Sequence, residues 1–219
     1  MKKINNTISN SELFEGITPE ETTILTGCIG AINTHFQKNS TVLMAGKSTD
    51  SFGIVISGTL QIVHDDFYGN RNILSNVEQG DLFAESFAFA KTKSLPVSVL
   101  SVTESDVLFI DWKKLISPCK NACGFHNRLI MNLIGIVSRK NIELTKKIEF
   151  VSKRFTRDKL LSYLSSEAEK NGSATFSIPF DRQSLADYLG VERSAMSAEL
   201  SRMKTDGLID YDKNSFKIL

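Results

Sequence analysis

Between Asp181 and Ile209 the chain reads DRQSLADYLGVERSAMSAELSRMKTDGLI, and its guanidiniums and small hydroxyls fall at helical spacing. Arg193, Ser197 and Ser201 recur at i, i+4 and i+8, with Ser194 and Arg202 beside them. A guanidinium offers a rigid fork of donors that matches the O6/N7 edge of guanine, and short hydroxyl side chains let a helix lie close to a base-pair edge. The chemistry such a surface can do is hydrogen-bonded reading of a nucleic acid rather than bond making. Gln183 and Lys213 flank it and suit phosphate contacts, which position a protein without specifying sequence.

Two helices must hold that surface. Asp181 is a good N-cap for the first, because its carboxylate can accept from the free amides of the opening turn. Leu185, Ala186 and Leu189 give this helix one apolar face, and small Ala186 permits a close crossing. Gly190 stands where the chain must leave the helix at positive φ. In the second helix Met196, Leu200 and Met203, at i, i+4 and i+7, point inward. After Gly207 comes LIDYDKNSFKIL, two short alternating segments around Lys213-Asn214, which predict a β-hairpin wing. The bland alternative is an ordinary helix pair with surface serines. The wing favours a winged helix-turn-helix that binds double-stranded DNA.

The 219 residues leave room for two modest domains, and 41% apolar and 23% charged residues are those of a globular chain. Net charge is only +1, and residues 153–219 carry 11 Lys/Arg against 10 Asp/Glu, so any affinity for DNA must come from a local arrangement of charge. No apolar run approaches the ~20 residues of a membrane span. The start, MKKINNTISN, has no apolar stretch behind its lysines and does not read as a signal peptide. Three cysteines do not suggest a disulfide framework. The expectation is a cytoplasmic protein.

Residues 11–30 read as helical, with Thr18-Pro19-Glu20-Glu21 as a capped start. The period then shortens to two. HFQKNSTVLMAG, SFGIVISGTLQIVHDD, RNILSNVEQGDLFA and VSVLSVTESDVLFIDW are short β-branched segments punctuated by Gly46, Gly58, Gly69-Asn70 and Gly80-Asp81, which predicts a small antiparallel sandwich or barrel. From about Cys119 the pattern is helical again. Ile130, Ile134, Val137, Asn141, Leu144, Ile148 and Val151 form a 4-3 seam, suited to burial against a second copy, with Asn141 fixing register. Packing of this helix on its own barrel is the alternative. Ser152-Lys153-Arg154 reads as a hinge, and a helix from Thr156 ends at Lys170-Asn171-Gly172. Three parts result: 1–118, a strand-rich sensing domain; 119–152, a dimerisation helix; and 153–219, the winged helix-turn-helix.

Other chemistries are poorly served. A cupin-type metalloenzyme needs several histidines converging inside the barrel, whereas His35, His64 and His126 show no H-x-H pairing, and no phosphate loop or nucleophile elbow is present. An enzyme is not expected. Cys119-x3-Cys123-x2-His126 could face one way on a helix and hold a metal or haem, or the thiols could oxidise. Against this, cysteines often act as small buried hydrophobes, and a helix that starts only after Pro118 or Gly124 is the alternative.

Gly46-x3-Asp50, Ile54-Val55-Ile56-Ser57-Gly58, Gly80-Asp81-Leu82-Phe83 and Glu85 resemble the cyclic-nucleotide-binding β-roll. Arg182 to Ile209 resembles the DNA-binding half of the Crp/Fnr transcription regulators, so the likeness runs from Leu13 to Leu219. It implies an α+β fold: an N-terminal antiparallel β-roll, a long dimerisation helix and a C-terminal winged helix-turn-helix. It implies a homodimer reading an inverted-repeat operator, RNA polymerase as a partner, and a small-molecule effector held around Phe83, Ala84, Glu85, Leu95, Pro96, Leu144 and Thr145. The departures are informative. Cyclic-AMP-binding members carry an Arg-Ser pair where this chain has Leu95-Pro96; neither pairs with a phosphate, and nearby Lys91 and Lys93 lack a bidentate fork. Cyclic AMP is therefore not the expected effector, and no cofactor is specified. The iron–sulfur branch needs an N-terminal cysteine cluster, and only Cys28 is there. Arg193 matches the family's guanine-reading arginine, while Ser194 and Ala198 replace a glutamate and a second arginine, so the usual half-site is not expected. A ligand-binding regulatory subunit acting through a protein partner is the rival function.

Overall fold

The computed structural model describes residues 8, 11–67, 71–117 and 124–219. The chain divides into two compact units, Met1–Ser138 and Arg139–Leu219, with the division inside a long helix. Gly69-Asn70, Cys119, Cys123 and most of the N-terminal decapeptide lie outside the described residues.

In the first unit a short 3-10 turn, Glu12–Phe14, precedes helix α1 (Pro19–Cys28). The capping box expected at Thr18 is formed: its hydroxyl accepts from the Glu21 amide at 3.3 Å, and the Glu21 carboxylate accepts from the Thr18 amide at 2.9 Å. The helix expected over 11–30 is shorter than its pattern. Gly16 sits at φ +71°, and Pro19 disfavours helical backbone at Thr18, so nothing helical can run through 16–18.

Strands β1 (Ile32–Phe36), β2 (Thr41–Leu43), β3 (Ser51–Ser57), β4 (Leu60–Asp65), β5 (Arg71–Val77) and β6 (Leu82–Phe83) follow. Helix α2 (Glu85–Phe89), strands β7 (Ser98–Ser101) and β8 (Ser105–Asp111) and helix α3 (Trp112–Ile116) complete the barrel region. They form two four-stranded antiparallel sheets, β1-β8-β3-β6 and β2-β7-β4-β5. Successive side chains leave a strand on opposite faces. Thus Phe52, Ile54 and Ile56 of β3 join Leu108 and Ile110 of β8 in a core with Leu13, Phe14, Leu25 and Leu115. Val55 and Val107 join Leu60, Val77, Phe83 and Val99 in a second core, built from residues of both sheets. The central strands are apolar on both faces, and each fully buried Ile or Phe there contributes about 1.5–3 kcal/mol. Gly53 faces this second core because no Cβ fits: one would lie 2.3 Å from Phe83 Cζ and 2.4 Å from Cε1.

Helix α4 (Gly124–Ser152) begins in the first unit and ends in the second. Leu129, Leu133 and Ile136 are buried in the core of the first unit. Of the expected seam one position along, Ile130 packs against this same core and Val151 is half-buried, while Ile134 is 53%, Leu144 60% and Ile148 65% accessible. One helix therefore carries two apolar stripes of the same 4-3 spacing, and packing on the chain's own barrel uses the other one together with Ile130.

The second unit continues with α5 (Thr156–Asn171), β9 (Thr175–Ser177), α6 (Arg182–Leu189), α7 (Arg193–Thr205), β10 (Ile209–Asp212) and β11 (Ser215–Ile218). The chain breaks helix between Ser152 and Thr156, and Gly172 ends α5 at φ +58°. Strands order β10-β11-β9, with Asp212 opposite Ser215 across the turn expected at Lys213-Asn214. Leu160, Leu164, Leu185, Leu189, Met196, Leu200, Met203, Ile209 and Phe216 form its core. Phe150, from the last turn of α4, enters that core against Tyr163 at 5.7 Å, and Tyr163 in turn meets Tyr188 at 5.6 Å.

Candidate functional site

The turn between α6 and α7 is set by local chemistry. The Asp181 carboxylate caps α6 by accepting from the Ser184 amide at 2.7 Å, and this bond holds the carboxyl below its ordinary range. Leu185, Ala186 and Leu189 are fully buried. Gly190 takes φ +61°, and the Lys159 ammonium donates to the Leu189 carbonyl at 3.2 Å, satisfying the end of α6. Helix α7 then turns Met196, Leu200 and Met203 wholly inward.

The opposite side of α7 holds the residues singled out above. Arg193, Ser194, Ser201 and Arg202 are exposed and Ser197 is half-buried, all on one helix of 13 residues. Gln183 and Lys213 are exposed on α6 and in the wing turn. Gln183 donates to Asp187 at 2.9 Å, and Lys213 adopts φ +48°. Several of these groups already have partners. The Ser201 hydroxyl donates to the Ser197 carbonyl at 3.1 Å and lies 3.5 Å from the Tyr211 hydroxyl. Arg202 reaches Glu199 at 3.4 Å, and Glu199 also meets Arg157 at 3.3 Å. Ser194 donates its hydroxyl to Glu192.

Three features of this region escape sequence reasoning. Glu192, not a serine or threonine, caps α7: its carboxylate accepts from the Ser194 amide at 3.0 Å and the Ala195 amide at 2.8 Å. The Ser194 hydroxyl and these amides hold its carboxyl below the ordinary range. Arg182 stacks over Tyr211 at 5.0 Å and Phe216 at 5.2 Å, tying α6 to the wing. The Lys204 ammonium pairs with Asp210 at 2.6 Å and covers the other contact to Tyr211 at 5.1 Å. Only Glu192 left a signal, an acidic residue just before a helical run.

In the first unit the residues expected around an effector divide between interior and surface. Phe83 is buried, with its ring 6.1 Å from Phe109 in an edge contact. Ala84 turns the chain at φ +63°, a left-handed conformation that starts α2 immediately after β6, and Glu85 is buried at 4% exposure. Leu95 is buried and its backbone pairs with Gly46 and Lys47 at 2.9 and 2.8 Å, while Pro96 is exposed. Leu144 and Thr145 belong to the second unit, exposed on α4. His126 is buried and bonds through Nε2 to the Leu115 carbonyl, and its Nδ1 has no partner. No group of three metal-ligating side chains occurs among the described residues, and among them no helix is long and apolar enough to cross a membrane.

The likeness to known proteins follows the two units. The cyclic nucleotide-binding domain family matches residues 33–121, and the Crp-like helix-turn-helix domain family matches residues 158–219. Over 68 residues the chain is 34% identical to the transcriptional activator protein FnrL of Cereibacter sphaeroides, a match spanning 27% of this chain and 27% of that protein's length. The catabolite activator protein of Thermus thermophilus superposes with a TM-score of 0.50 at 17% identity, covering 95% of this chain and 94% of its own. The c-di-GMP-responsive global regulator CLP of Xanthomonas campestris gives 0.56 at 16% identity, covering 90% of this chain and 98% of its own. At such identities the likeness is one of fold. The chain thus carries a jelly-roll-like cyclic nucleotide-binding domain followed by a Crp-like helix-turn-helix domain, and in that order it resembles the Crp/Fnr transcription regulators.

Proposed function

We propose that this protein is a homodimeric, sequence-specific DNA-binding transcription regulator acting in the cytoplasm, with an effector other than cyclic AMP. The observation that carries the reading is the division of α7: Met196, Leu200 and Met203 lie wholly inside, while Arg193, Ser194, Ser201 and Arg202 are open to a duplex. Arg193 is the candidate guanine reader, and Gln183 and Lys213 are candidate phosphate contacts. The exposed Ile134, Val137, Leu144 and Ile148 support pairing through α4, since a stripe of this kind in water is costly. A dimer would set two copies of α7 about 34 Å apart, one turn of duplex, and would read an inverted repeat. RNA polymerase would be the protein partner of a DNA-bound dimer. Against cyclic AMP stands Leu95-Pro96, where no side chain can neutralise a cyclic phosphate. The reading assigns no catalytic step.

Selection from a random duplex pool tests it. Enrichment of an inverted repeat with a guanine in each half-site, abolished by Arg193→Ala, is the expected result, together with a dimer in sedimentation. A monomer that retains no duplex at low salt would overturn the proposal. Titration calorimetry with cyclic AMP is expected to show no low-micromolar binding.

A further inference from the structure

The amino end of α7 is where a DNA backbone would meet free amides and the positive end of a helix dipole, a ready anion site. In this chain that place is taken. The Glu192 carboxylate accepts from the Ser194 and Ala195 amides at 3.0 and 2.8 Å, and also from the Ser194 hydroxyl. Two consequences follow from the geometry. The Ser194 and Ala195 amides are spoken for by a fixed negative charge belonging to the protein, and a phosphate approaching them would meet like charge. The Ser194 hydroxyl, next to Arg193 on the exposed face, donates its proton to Glu192 and meets a base edge as an acceptor.

Resting on the DNA-binding reading above, we infer that Glu192 is a specificity-determining residue that acts by excluding phosphate from the recognition helix. It lowers the sequence-independent part of the affinity and leaves Arg193 as the charged reader of that turn. The near balance of charge in residues 153–219, 11 basic against 10 acidic, fits a domain whose backbone attraction is held down. A protein with a smaller phosphate term has less to lose to the bulk of non-specific sequence, because that term is common to every site.

The test compares wild type with Glu192→Ser and Glu192→Asp on a random-sequence duplex of about 30 base pairs, long enough for two half-sites. Anisotropy is read from low to moderate salt, and circular dichroism checks each variant's helicity. Serine keeps a capping oxygen and removes the charge; aspartate keeps both. Glu192→Ser is expected to bind random duplex about eightfold tighter per phosphate gained at 0.1 M salt, with the log–log salt slope steeper by about 0.9 per contact and up to twice that for a dimer. Glu192→Asp should track the wild type. If wild type binds duplex and a folded Glu192→Ser shows the same affinity and slope, the inference fails while the DNA-binding reading stands. If neither protein binds duplex at low salt, the DNA-binding reading itself fails.

Discussion

Replacing Gly53 with alanine puts a single methyl group where the structure has no room for it. The new Cβ would lie 2.3 Å from Phe83 Cζ and 2.4 Å from Cε1, well over 1 Å inside ordinary carbon–carbon contact at ~3.5–4.0 Å. The backbone at Gly53 pairs directly with Phe83, so neither strand can slide away cheaply. The ring must move instead, and it is 2% exposed with Phe109 against it at 6.1 Å. Overpacking of this kind costs about 1–3 kcal/mol. The chain's one tryptophan, Trp112, is buried in the same unit, so its fluorescence follows unfolding of this unit alone. With a urea slope near 2 kcal/mol/M, the midpoint should fall by roughly 0.5–1.5 M. Phe83→Leu shortens the ring's reach and should partly relieve the methyl, giving a coupling of about 0.5–3 kcal/mol in a double-mutant cycle. A Gly53→Ala protein with an unmoved midpoint, or a cycle that is simply additive, would show that the close approach of β3 and Phe83 does not govern this core.

Three further outcomes are expected. Leu200→Ala removes a wholly buried side chain from the core under α7 and should destabilise the second unit by about 2–5 kcal/mol, read by far-ultraviolet circular dichroism. His35 lies between Asp106 at 3.0 Å and Glu104 at 3.1 Å, and the hydrogen bond to Asp106 raises its pKa above the ordinary 6.5. The folded state therefore holds this proton more tightly than the unfolded chain. The stabilisation is full below about pH 6.5 and is lost as pH rises through the folded value, a slope that His35→Gln should flatten in denaturant titrations. Arg182→Ala removes two cation–π stacks, worth about 0.5–1 kcal/mol each, and should speed amide exchange across the wing, residues 209–218, ahead of the rest of the unit.

The helix-turn-helix was legible because its determinants are local. Asp181 bonds three residues on, Gly190 answers a backbone requirement, and the inward triad repeats at helical period. The strands announced themselves by short β-branched runs between glycine turns, although β3, buried along its whole middle, does not alternate. What the sequence hid depends on neighbours distant along the chain. Leu129, Leu133 and Ile136 have the same spacing as the seam beside them, and nothing in the spacing tells which stripe meets the barrel. The stacking of Arg182 on the wing joins residues about 30 positions apart, and Glu199 serves Arg157 from another helix. Ala84 is a further case: a left-handed alanine has no sequence signature, and it alone starts α2 directly behind β6.

The doubly buried ribbon at the centre of the barrel also sets a schedule. Ser51 pairs with Asp111 across β3 and β8, so the strand with apolar residues on both faces waits for a partner about 60 residues downstream. At synthesis rates of about 5–20 residues per second, that is roughly 3–12 s during which a newborn β3 lacks its long partner and has at most the two-residue β6 beside it. The helical half closes contacts between near neighbours and should form quickly once made. On the ribosome the slower half emerges first, and the interval before β8 appears is when this chain most needs chaperone cover.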